Sequence, residues 1–97
     1  MSRPKLLSEE DINELLKEIP FWSRENNTIV REIVASNFTA AIGIVNSIAI
    51  EAEVLDHHPD ILIYGWNKIR ITLSTHSDGG LTELDFKLAK KIDNLKF

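Results

Sequence analysis

Asn37–Pro59, NFTAAIGIVNSIAIEAEVLDHHP, is the stretch whose reading organises the rest of the chain. Asn37 offers a side-chain oxygen to cap a helix, which the spacing predicts over 38–57. Phe38, Ala41, Ile42, Ile44, Val45, Ile48, Ala49, Ala52 and Leu55 put apolar groups on almost every side of it. A surface helix shows one apolar stripe, whereas a helix apolar on several sides must be covered on several. One side can pack on a sheet. Another is expected to meet a second subunit, because a chain of 97 residues has few elements left to cover it. The competing reading is a central helix buried within one domain. Pro59 disfavours helical geometry at the residue before it, so the helix should end near His57 or His58.

Upstream, Ser8 reads as an N-cap, with Glu9, Glu10 and Asp11 placing negative charge on the first turn. Ile12, Leu15, Leu16 and Ile19 recur at helical spacing until Pro20. Asn26-Asn27 is a turn signal between strands expected at about 21–24 and 28–36, with Ile29, Ile33 and Ala35 set against Arg31. Downstream, 61–64 and 68–75 form a second hairpin about Gly65. In its later strand Ile69, Ile71 and Leu73 point one way, and Arg70, Thr72, Ser74 and His76 the other. Asp78-Gly79-Gly80 is a loop, and Thr82 opens a last helix striped by Leu84, Leu88, Ile92 and Leu95. The order α-β-β-α-β-β-α predicts a two-layer α+β fold, a four-stranded antiparallel sheet with three helices on one face. The whole of 1–97 is expected to be a single domain.

Composition narrows the function. The chain is 43% hydrophobic and 27% charged, which is globular rather than disordered. A net charge of −4 argues against direct nucleic-acid binding, which needs clustered Lys and Arg. With no cysteine there is neither disulfide nor thiolate nucleophile, as suits a reducing cytoplasm. No leader-like segment opens the sequence, and the apolar run 40–50 is far short of the ~20 residues a bilayer span needs. A cytoplasmic protein without a membrane partner is therefore expected.

All three histidines, His57, His58 and His76, fall within 20 residues of sequence, beside Glu53 and Asp56. Imidazole is the only side chain whose unperturbed pKa lies between pH 5 and 8, so such a cluster suits proton transfer or a metal. Glu53 and His57, four residues apart, would share one helix face, as a site pair or as an ordinary surface contact. Asp56 at a helix C-terminus opposes the helix dipole. Thr82 to Asp85 reads as a capping box with Asp in place of Glu, and Trp22 as a core or interface aromatic. Glu53, His57 and His76 could form a two-histidine, one-carboxylate triad. Their spacing follows no known metal motif, so metal-free acid–base work is favoured, with no cofactor and no metal.

Residues 52–59 (AEVLDHHP), then Asn67-Lys68, Leu73-Ser74-Thr75-His76, Gly80-Leu81-Thr82 and Asp85, closely resemble pterin-4a-carbinolamine dehydratase, over roughly 21–93. The resemblance implies a hydro-lyase, 4a-hydroxytetrahydrobiopterin dehydratase, which converts 4a-hydroxytetrahydropterin to quinonoid dihydropterin and water in the recycling of a tetrahydrobiopterin-type cofactor. Carried across by position, it makes His57, His58 and His76 catalytic, supported by Glu53. His57 and His76 would give the departing hydroxyl its proton, while His58 holds the pterin and acts as base. Asp56, His57, His58 and Pro59, with Ser74, Thr75 and His76, would line the pterin pocket, and Trp22 and Asp85, which match further family positions, would join them in binding the substrate. The stretch 61–66 departs from the aromatic-rich hairpin of animal members, and Trp66 stands where a tyrosine is usual. The family also implies a homodimer or homotetramer through the sheet and the 38–57 helix. The alternative it leaves open is a non-catalytic dimerisation cofactor or assembly factor acting by protein–protein contacts.

Overall fold

Each helix begins where a short polar side chain receives the first free backbone N–H groups. Ser8 Oγ accepts from Asp11 N–H at 3.1 Å, Asn37 Oδ1 from Ala40 N–H at 2.7 Å, and Thr82 forms a reciprocal box with Asp85. The computed structural model describes residues 5–97. Its elements are α1 (Glu9–Leu16), β1 (Ser23–Glu25), β2 (Thr28–Val34), α2 (Phe38–Leu55), β3 (Asp60–Tyr64), β4 (Lys68–Leu73) and α3 (Glu83–Asp93). A single turn of 3-10 helix, His76–Asp78, lies between β4 and α3.

The strands form one antiparallel sheet in the order β1-β2-β4-β3. Both hairpins are local. Asn26 takes the left-handed conformation in the first turn, and Gly65 and Trp66 take it in the second. The hairpins join through β2 and β4, with Ile29 opposite Leu73 and Ile33 opposite Ile69. Residues directly opposite share a face, so these side chains form one apolar surface with Ile71. Against it pack Ala41, Ile44, Ile48 and Ala52 of α2, Phe86, Leu88, Ala89 and Ile92 of α3, and Ile12 of α1. The other sheet face, carrying Glu32, Val34, Leu62, Tyr64 and Arg70, is open.

Several boundaries and placements differ from the sequence expectations. Arg31 is not on the side opposite Ile29 and Ile33. It pairs with Ile71 on their face, and its charge is met by Asp93 Oδ1 at 2.6 Å and by the Phe21 ring 4.6 Å away. The expected 38–57 helix stops at Leu55, because Asp56 turns left-handed with φ 49°. β4 ends at Leu73, so strand alternation does not extend to His76, which opens the 3-10 turn. At 18 residues, α2 is by length and composition apolar enough to cross a membrane. Here its inner side packs on the sheet, while Ile42, Ile50 and Val54 on its outer side are exposed.

Candidate functional site

The turn that ends α2 aims the first histidine inward. Asp56 N–H bonds to Glu53 O at 3.1 Å and His57 N–H to Ala52 O at 3.0 Å, the paired closure of a left-handed helix end. Glycine usually occupies that left-handed position; Asp is among the few side chains that tolerate it. The chain folds back on itself, and the His57 ring enters the protein with only 9% of its side chain exposed. There His57 Nε2 meets Asp85 Oδ1 at 2.6 Å.

Asp85 is fully buried, and a buried carboxylate is tolerable only when donors surround it. It has three. Oδ1 faces His57, and Oδ2 accepts from Thr82 N–H and from the Thr75 hydroxyl, each at 2.9 Å. The Thr75 and Thr82 hydroxyl oxygens lie 2.7 Å apart. Among the described residues no buried side-chain polar atom lacks a partner. The network follows from local structure: Asp85 is the N3 residue of the α3 capping box, and Thr75 is held beside it by its bridge to Gly80. Thr75 N–H donates to Gly80 O at 2.8 Å.

The other two imidazoles stand at the surface. His58 Nε2 lies 3.5 Å from Glu53 Oε1, and His76 Nε2 lies 3.8 Å from Asp60 Oδ2. Each histidine thus has its own carboxylate: Asp85 for His57, Glu53 for His58, Asp60 for His76. Two loops bring them to one end of the sheet. His57 and His58 precede β3, while His76 follows Thr75, which joins His57 through Asp85. Such a rim, one braced and largely enclosed imidazole beside two open ones, can give and take protons from a bound molecule.

Glu53 and His57 do not form the helical pair that their spacing suggests. The structure gives Glu53 to His58 instead, since His57 is past the helix end. Glu53, His57 and His76 do not converge as a triad; among the described residues no three His, Asp or Glu side chains gather to hold an ion. Ser74 and Thr75 lie buried behind the rim and Asp56 forms its turn. Asp85 belongs to the site through His57 but offers no exposed atom. Trp22 is not brought to the histidines. Its buried indole donates to Asp93 Oδ1 at 2.8 Å, eight residues and about 12 Å along α3 from Asp85. Asp60 was missed, and its signal was its place directly after the proline that redirects the chain.

Helices on one face of a β1-β2-β4-β3 sheet, with histidine-bearing loops at one end, define a two-layer α+β protein with a titratable rim. Residues 5–95 match the family described as pterin 4 alpha carbinolamine dehydratase, and the chain belongs to that family. It is 52% identical over 89 residues to a protein of Chloroflexus aurantiacus provisionally named pterin-4-alpha-carbinolamine dehydratase, covering 92% of this chain and 95% of the relative. A Sulfolobus acidocaldarius protein of the same provisional name is 43% identical over 90 residues, covering 93% and 98%. A crystal structure described as a transcriptional coactivator/pterin dehydratase from Brucella melitensis superposes with TM-score 0.86 at 36% identity, over 92% of this chain and 96% of that one. A pterin dehydratase-like protein described as a RuBisCO assembly factor in the alpha-carboxysome shares the fold, with TM-score 0.58 at 18% identity over 74% and 82%.

Proposed function

We propose that this chain is a hydro-lyase that dehydrates pterin-4a-carbinolamine to quinonoid dihydropterin and water. The C4a–O bond breaks as its hydroxyl takes a proton and leaves as water, and a ring N–H gives up a proton to a base. The reaction is redox-neutral and its proton count closes, so imidazoles suffice and no cofactor is needed. The observation that carries the reading is the set of three histidines at one rim, each with its own carboxylate. His57 and His76 supply the proton to the departing hydroxyl. His58, more than half exposed, takes the ring proton and holds the pterin, with Glu53 steadying it. Pro59 and Asp56 shape the turn that carries these histidines.

The reading places the protein in the recycling of a tetrahydrobiopterin-type cofactor in the cytoplasm, as a single pterin-dehydratase-like domain. Homo-oligomerisation, as dimer or tetramer, would cover the open sheet face and the outer side of α2, where Ile50 and Val54 are about two-thirds exposed. That same apolar side favours a second reading, a dimerisation cofactor or assembly factor acting by protein contacts. One assay separates them. Loss of carbinolamine is followed by absorbance with and without the protein, and with a chelator added. Acceleration that survives the chelator is expected; a rate equal to buffer alone, with a stoichiometric protein partner co-purifying, would reverse the ranking.

A further inference from the structure

We infer that His57 works through Nδ1, and that Thr75, Thr82 and Asp85 together hold its other nitrogen, Nε2, protonated and out of the reaction. The inference follows from which atoms can only donate. Thr82 N–H is a backbone donor, so Asp85 Oδ2, 2.9 Å away, must accept. The Thr75 hydroxyl gives its one proton to the same oxygen at 2.9 Å. Its oxygen, 2.7 Å from Thr82 Oγ1, must then accept the Thr82 hydroxyl proton. Thr82 Oγ1 in turn accepts Leu84 N–H at 3.3 Å. The chain has one direction, and it ends on Asp85 as a pure acceptor.

With Oδ2 saturated in this way, Oδ1 is left for His57 Nε2 at 2.6 Å. A carboxylate can only accept, so the imidazole nitrogen that faces it is the donor. Nε2 is therefore the N–H, and Nδ1 carries either the lone pair of a base or, in the cation, the proton of an acid. Among the described residues Nδ1 forms no hydrogen bond, so it is the ring nitrogen left to act on a bound molecule. A carboxylate that orients a histidine and fixes its tautomer is a general device of acid–base sites. What is particular here is that a helix cap builds it: the N3 residue of α3 is the brace, and the N-cap threonine sets its orientation.

This assigns Thr75 a different part from contact with substrate. Its side chain is buried and its hydroxyl is committed on both sides, so it is a positioning residue. What the proton on Nδ1 is for rests on the dehydratase reading; where the Nε2 proton sits does not.

The test is the pattern of long-range proton–nitrogen correlations from the His57 ring, recorded near neutral pH on the full chain and three variants. Wild type is expected to show the neutral ring protonated on Nε2. Asp85→Asn should invert this. Thr82 N–H can only donate, so the asparagine carbonyl must take the Oδ2 position, and its amide then donates to Nε2 and drives the ring proton to Nδ1. The same variant should lose about 10²–10⁴-fold in kcat/KM, the usual worth of a positioned acid or base. Thr75→Val should lower kcat while leaving KM unchanged, and Thr75→Ser, which keeps the hydroxyl, should restore it. A wild-type ring protonated on Nδ1, an Asp85→Asn spectrum like wild type, or a Thr75→Val variant with raised KM and intact kcat would each overturn the assignment. Should Asp85→Asn fail to fold, the wild-type spectrum and the threonine pair still decide it. Absence of any dehydration by wild type would remove the functional reading alone, and the spectra would still decide which nitrogen is protonated.

Discussion

Replacing Asp85 by alanine tests whether the buried network is as the structure draws it. The change deletes three accepted hydrogen bonds, from His57, Thr75 and Thr82 N–H, in a region closed to water. Each buried donor left without a partner costs about 1–3 kcal/mol. Relief of the carboxylate's own desolvation offsets part of that sum, and measured losses on removing one partner of a buried pair are about 3–5 kcal/mol. Loss of the reciprocal cap on α3 acts in the same direction. Domains of this size are stable by about 5–15 kcal/mol, so the variant should fold marginally. In urea, with a slope of about 1.5 kcal/mol/M, the midpoint should fall by roughly 2–3 M. Protein concentration must be matched between samples, since association would shift the midpoint. Asp85→Asn, which keeps an acceptor for Thr82 N–H, should lose less. A loss below about 1 kcal/mol for alanine would refute the network, because three buried donors cannot lose their acceptor so cheaply.

Other outcomes follow from the same geometry. His58→Ala and His76→Ala should leave stability within about 0.5 kcal/mol, since both rings are exposed. Each should nevertheless lower kcat/KM by about 10²–10⁴-fold, and equilibrium unfolding beside a dehydration assay checks both halves. Asp56→Gly should keep turnover and lose no more than about 1 kcal/mol by urea denaturation, because glycine adopts φ 49° without strain. A large rise in KM for that variant would instead make the Asp56 side chain a pterin contact. Ile50→Glu, on the outer side of α2, should lower the mass measured by light scattering; an unchanged oligomer would move the interface elsewhere.

Local signals were readable from sequence because their partners lie within a few residues. Asn37 capping α2, the Thr82–Asp85 box, and the alternation of Ile69, Ile71 and Leu73 are all of this kind. The pairing of β2 with β4 was not, since hydrophobic periodicity fixes a strand's face without choosing its neighbour. Arg31 misled for a related reason: its charge is satisfied on the apolar face by Asp93, 62 residues away. At the site, the three histidines and Glu53 stood out by type and clustering. Their pairing did not, because it turns on one backbone angle. Asp56 lacks glycine's signature for a left-handed helix end, so helical spacing put His57 beside Glu53, and the turn delivered it to Asp85. Asp85 reads locally as a cap and by resemblance as a site residue, but its pairing with His57, 28 residues away, has no local signal.

On the proposed function, these imidazoles, with His57 braced by Asp85, remove water from a pterin carbinolamine. The most direct measurement is kcat/KM for that dehydration in wild type, His57→Ala, Asp85→Asn and the double variant. Wild type should accelerate the reaction, and the double variant should be no slower than His57→Ala, since Asp85 acts through His57. A wild-type rate equal to the spontaneous one, or losses that multiply in the double variant, would contradict it.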